Sequence, residues 1–141
     1  KLYMTFQERR IRKELKNYDI HIDIDSNSVE FVFEGDRIRA HFLRPYPFNP
    51  PIMYKNGRHI SFEPSQFPKR LMAQYTKSAR PCMCCNTITC PNNWSPVHCV
   101  LHILREYNTF IDQLKIYHKI RIFQDVRLPD DIIKSIVSFL L

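Results

Sequence analysis

Tyr46-Pro47-Phe48-Asn49-Pro50-Pro51 divides the chain into two kinds of pattern. Three prolines in six residues, with Pro45 just before them, remove the backbone donors that a strand needs, so a β ladder must stop here. Upstream the period is two. Ile20, Ile22 and Ile24 alternate with His21, Asp23 and Asp25; Val29, Phe31 and Phe33 alternate with Glu30, Val32 and Glu34; Ile38, Ala40 and Phe42 alternate with Arg37, Arg39 and His41. Ser26-Asn27-Ser28 and Glu34-Gly35-Asp36 are turn chemistry between these runs. The spacing therefore predicts an antiparallel meander with one buried face.

Working outward, Ile52 to Tyr54 reads as a short fourth strand closed by Asn56-Gly57. Before the meander, residues 5–18 read as a helix, with Ile11, Leu15 and Tyr18 on one face. Residues 60–81 have no clean period, though Lys69 to Lys77 suits a short helix. Helical spacing returns after Trp94-Ser95-Pro96, where Ser95 is placed to cap and Pro96 to occupy the first turn. Val97, Val100, Leu101, Leu104, Ile111 and Leu114 form the apolar stripe of that helix. Pro129 and Asp130-Asp131 open a last helix carrying Ile132, Ile133, Ile136, Val137 and Leu140, with acids where the helix dipole favours them. Helices segregated from an antiparallel sheet make an α+β arrangement.

The 141 residues suit one core, and 44% hydrophobic content is enough to bury it. No apolar run reaches the about 18 residues of a membrane span, and no secretory signal is visible. Because the chain begins at Lys1, its natural start is expected upstream. The five cysteines are odd in number and four of them fall between Cys82 and Cys90. Such clustering points to catalytic or metal-bound thiols in a reducing compartment, cytoplasmic or nuclear, rather than to a secreted disulfide framework. The net charge of +7 collects at Arg9, Arg10, Arg12, Lys13 and Lys16, and again at Arg37, Arg39 and Arg44. Without an aromatic-rich RNA-binding signature or zinc-finger spacing beside it, this charge reads as a solvated face, and nucleic acid as an unlikely partner.

The order of elements, with Arg10-Ile11-Arg12-Lys13-Glu14-Leu15, the proline turn and the Trp-Ser-Pro step, resembles the ubiquitin-conjugating (UBC) enzyme family over roughly residues 5–115. The related RWD domains share a Tyr-Pro-x-x-x-Pro turn but lack the active-site cysteine. The resemblance implies a UBC-like domain over 1–117, with an N-terminal helix, a meander of about four strands, an insertion at about 60–81 and a Pro/Cys-rich active-site loop. Residues 118–141 then form a C-terminal helical extension. It also implies a cysteine that carries ubiquitin or a ubiquitin-like modifier as a thioester and passes it to lysine. Its partners would be the modifier, an activating enzyme and a ubiquitin ligase.

Cys85 is the candidate nucleophile: Cys85-Asn86-Thr87-Ile88 resembles the family's Cys-Leu-Ser-Ile step, and Trp94 follows nine residues later. The family's His-Pro-Asn motif is absent. Asn56-Gly57-Arg58, similar to the Thr-Pro-Asn-Gly-Arg step of the family's endoplasmic-reticulum branch, is the nearest substitute. It makes Asn56 the candidate oxyanion donor, provided that 60–81 loop out. The rival reading is a catalytically inactive interaction or structural module whose cysteines bind zinc. Cys82, Cys84, Cys85 and Cys90 offer four soft ligands, a set that conflicts with catalysis at Cys85; zinc on Cys82, Cys84, Cys90 and either Cys99 or His98 would leave Cys85 free, or the thiols simply pack.

Tyr46, Phe48 and Trp94 are expected to form one cluster that holds the active-site loop. His59, His98 and His102 are of the acid–base type, but packing explains them as well. The tail from Leu128-Pro129-Asp130 resembles the opening of an F-box, while an amphipathic capping helix accounts for the same residues. The Ile-, Lys-, Asn- and Tyr-rich composition suits an AT-rich genome, that of a large DNA virus among them.

Overall fold

The period-two runs form a five-stranded antiparallel sheet in sequence order: β1 (His21–Asp23), β2 (Ser28–Phe33), β3 (Asp36–His41), β4 (Ile52–Lys55) and β5 (Arg58–His59). This computed structural model describes residues 2–62, 74–75 and 87–140, the side chains of residues 2–6 excepted. Three helices are found among them: α1 (Leu2–Glu14), α2 (Val100–Asp125) and α3 (Asp130–Leu140). None of these is long and apolar enough to cross a membrane. The chain divides into two compact units, Lys1–Ser61 with Ile88–Arg105, and Phe62–Thr87 with Glu106–Leu141.

In the first unit the register puts Val29 opposite Ala40 and Phe31 opposite Ile38, so the apolar positions share one face. Those four, with Met53, Ile11 and Leu15, are buried. Tyr18 lays its ring against Phe31 at 5.4 Å and Phe33 at 6.1 Å. Two tight turns keep the strands adjacent. Glu34-Gly35 and Asn56-Gly57 each join a two-residue hairpin, and all four residues have positive φ, which the right-handed twist of the strands requires.

The sequence expectation of about four strands is short by one. Asn56-Gly57 does not close the fourth strand but turns it into β5, which at two residues is too short to show a period. β1 is likewise shorter than the alternation 20–25. Asp23 Oδ1 accepts the N–H groups of Asp25 and Ser26, a local turn that pulls the backbone out of the ladder and leaves Ile24 exposed.

The first helix starts earlier than expected and ends at Glu14 rather than residue 18. Its last α-type bond runs from Leu15 N to Ile11 O, and Tyr18 N then bonds Leu15 O in a tighter turn. Asn17 and Asp19 sit where side chains compete with helical hydrogen bonding. The helix expected from Ser95 begins only at Val100. Ser95 and Pro96 instead open a turn in which His98 N bonds Ser95 O at 3.0 Å. Cys99 takes the capping position: its carbonyl accepts His102 N, and its own N–H is accepted by His102 Nδ1 at 3.1 Å. The His102 bond is one half of a capping box, with histidine in the place of glutamate; the other half is missing, because the Cys99 carbonyl rather than its side chain meets His102 N. The apolar stripe shifts accordingly. Val97 is 78% exposed, and Ile103 and Phe110 join Val100 and Leu104 as buried residues.

In the second unit Phe110 meets Phe62 at 5.5 Å and Tyr107 at 6.2 Å. Ile116, Ile120, Ile133 and Val137 are buried there. The bridge from α2 to α3 is a Schellman closure: Leu128 N bonds Phe123 O, Arg127 N bonds Gln124 O, and Arg127 has φ 57°. α3 opens on Asp130-Asp131 as the sequence predicts, and Asp130 accepts a hydrogen bond from Tyr75 at 2.9 Å. The short helix expected over 69–77 lies outside the described residues apart from Gln74 and Tyr75, which are helical.

Candidate functional site

The proline turn, the Trp-Ser-Pro step and α1 are separate in sequence and bonded together in the first unit. Tyr46 precedes a cis peptide to Pro47 and is buried. Its ring packs edge-on against Phe42 at 4.9 Å and lies 6.4 Å from that of Trp94. The indole Nε1–H of Trp94 donates to the carbonyl of Pro47 at 2.8 Å, a carbonyl that the prolines leave without a strand partner. The expected Tyr46–Phe48–Trp94 cluster therefore loses one member. Phe48 is 69% exposed, and with Leu43 and Arg44 it borders a groove floored by Ile52 and Trp94.

Arg10 and Glu14 complete the assembly. The Tyr46 hydroxyl donates to Glu14 Oε2 at 2.6 Å, and Arg10 Nε donates to Glu14 Oε1 at 2.6 Å. Arg10 Nη2 reaches the carbonyls of Pro96 and His98, and its guanidinium stands 5.6 Å above the Tyr46 ring. Burial, with the Glu14 bond and charge, drives the Tyr46 hydroxyl far above the usual tyrosine range, so it remains a donor. Burial works against the Arg10 charge, yet the Glu14 bond and charge outweigh it and the guanidinium is held more firmly protonated than usual. Neither residue was singled out as a site residue from the sequence. Their i, i+4 spacing was the available signal, but their common partners are 32 to 88 positions away.

Asn56 is placed in full view. It occupies the β4–β5 turn with φ 51°. Its Oδ1 accepts the N–H of Arg37 at 2.9 Å while its backbone N–H bonds Arg37 O at 2.8 Å, so the side chain extends the ladder where the main chain has turned away. Its Nδ2 donates to Asp36 Oδ1 at 2.8 Å. Cys85, Cys82 and Cys84 lie outside the described residues. Cys90 and Cys99 are half-buried free thiols. Among the described residues no group of three or more His, Cys, Asp or Glu side chains is gathered to hold a metal. His98 Nδ1 accepts the Ser95 N–H at 3.1 Å, and its ring lies 5.4 Å from Trp94 and 6.0 Å from His102. Both of these imidazoles thus brace backbone in the Trp-Ser-Pro segment.

The Asn56 side-chain bond, then the Lys55 bond and charge, hold the Asp36 carboxyl below the usual aspartate range. A depressed carboxyl contributes stability that is complete above the unfolded-state pKa of about 3.9 and is lost as pH falls through the lower folded value. Asp36→Asn is therefore expected to lower the urea midpoint at pH 6, by a margin that shrinks as pH falls below the unfolded-state value. An offset that stays the same as pH falls would show that the ionised carboxylate contributes nothing.

No protein-family model matches the chain, and no curated protein or solved structure matches it either.

Proposed function

We propose that this chain is a divergent UBC-type protein that carries ubiquitin or a ubiquitin-like modifier as a thioester on Cys85. The observation that supports this is the bond from Trp94 to the Pro47 carbonyl, with Tyr46 locked to Glu14 beneath it. It makes one unit of the segments on which the resemblance rests, in the order helix, meander, proline turn, Trp-Ser-Pro. In the reaction, the Cys85 thiolate displaces the activating enzyme's thiolate from the modifier's terminal carbonyl. A lysine amine then attacks the new thioester and releases the Cys85 thiolate. The exposed Leu43 and Phe48, on a turn anchored by buried neighbours, offer a ligase an apolar contact.

A second reading, the non-catalytic UBC-like interaction module, is favoured by one observation. The amide of Asn56 already serves the turn, through Arg37 and Asp36, and that accounts for its presence without an oxyanion.

One assay separates the two. Incubation with activating enzyme, ATP and ubiquitin is expected to give a reductant-sensitive conjugate that persists in Cys90→Ala and disappears in Cys85→Ala. No conjugate under conditions that charge a control enzyme would leave the module reading. Asn56→Gly keeps the left-handed turn accessible while removing the amide. If Asn56 is the oxyanion donor, discharge to free lysine falls on the order of 100-fold with charging unchanged. Unchanged discharge makes it a turn residue only.

A further inference from the structure

We propose that the outer face of the sheet binds single-stranded nucleic acid, with phosphates following β3 and a base stacked on Tyr54. This site is independent of Cys85. The alternation of β3 turns Ile38 and Ala40 inward and sets Arg37, Arg39 and His41 in file on the other face. Successive members of that file are about 7 Å apart, two residues of extended chain. Arg37 and Arg39 are exposed, and neither guanidinium is within ion-pair or hydrogen-bond distance of a partner among the described residues, though the Asp23 carboxyl, held low chiefly by its Ser26 bonds, also feels the charge of Arg39. Their donors are open to an anion, and guanidinium forks match phosphate oxygens.

The aromatic component comes from neighbouring strands. Tyr54 stands directly opposite Arg39, and His59 directly opposite Tyr54. The His59 ring meets Tyr54 edge-on at 5.7 Å and fixes its attitude on the face. Between these groups lies a groove of about 500 Å³ bounded by Glu30, Arg37, Arg39, His41, Tyr54 and Gly57. Cations that track a backbone beside an aromatic platform are the recurring device for single strands. Glu30, the one carboxylate bordering the groove, faces Arg39 across the ladder without an ion pair; as an acceptor it suits a base amino group rather than a phosphate. The net charge of +7 adds long-range attraction. A linear signature cannot reveal this arrangement, because it is composed from β2, β3, β4 and β5.

The test is fluorescence anisotropy with a labelled 12-nucleotide single-stranded RNA, from 50 mM salt upward. Binding is expected, with log K falling against log salt at a slope of about −1.4 for two phosphates. Arg37→Glu with Arg39→Glu is expected to weaken binding at least tenfold and flatten the slope. Tyr54→Ala is expected to weaken it at least about fivefold. Circular dichroism and the thermal midpoint confirm that each variant is folded. Absence of binding at 50 mM salt overturns the proposal. So does an equal loss when Arg9, Lys13 and Lys16 on or just after α1 are reversed instead, since net charge would then explain the attraction. Competition by polyglutamate as effective as that by unlabelled RNA would also overturn it, by making the ligand an acidic chain of any kind.

Discussion

Tyr46→Ala is expected to cost about 3–5 kcal/mol of unfolding free energy, a large part of the roughly 5–15 kcal/mol that holds a domain together. The side chain is almost fully buried, and its loss vacates a space between Phe42 and Trp94. It also strands the Glu14 carboxylate, whose other oxygen is bonded to Arg10. Tyr46→Phe separates these terms. The ring stays, the hydroxyl goes, and an acceptor in a largely buried carboxylate is left without its donor, at about 1–3 kcal/mol. A double-mutant cycle with Glu14→Gln, read from urea midpoints, isolates the pair. A coupling near zero would mean that the short contact between hydroxyl and carboxylate contributes nothing to stability.

The second large effect belongs to the other unit. Phe110 has no exposed surface, and its ring meets those of Phe62 and Tyr107. Phe110→Ala is expected to destabilise by about 3–5 kcal/mol through the cavity it leaves. Hydrogen exchange resolves where the loss falls. Amides of Glu106–Leu140 should lose protection first, since the removed contacts are theirs. A cost under about 1 kcal/mol would show that Phe62 and Tyr107 close the gap between them.

Much of the sheet was legible because its face is decided by alternate residues. Val29, Phe31, Ile38 and Ala40 announce their side by spacing, and the register follows from the two Gly-containing turns. β5 was not legible, since Arg58-His59 carries no period; the Asn56-Gly57 pair was the cue that a partner strand follows. The late start of α2 was missed for a physical reason. Ser95-Pro96 has the composition of a helix start, but it opens a turn closed by His98 N on Ser95 O, with Arg10 bonding the Pro96 and His98 carbonyls from outside. The same limit applies to the site. Sequence order suggested that Tyr46, Phe48 and Trp94 cluster, and two of the three do. For Arg10 and Glu14 it offered only their i, i+4 spacing, since their role depends on partners brought together by the fold. Cys85, the proposed nucleophile, lies outside the described residues, as do Cys82 and Cys84.

The outermost strands of the sheet, β1 and β5, are three and two residues long, with His21, Asp23, Arg58 and His59 all exposed. A strand added at either end would find only two or three residues of ladder, flanked by charge. Among the described residues both ends of the sheet are thus blunted against a pairing strand, whether a peptide partner or a second copy. A partner that meets this sheet finds its turns or its flat face, where side chains rather than backbone make the choice.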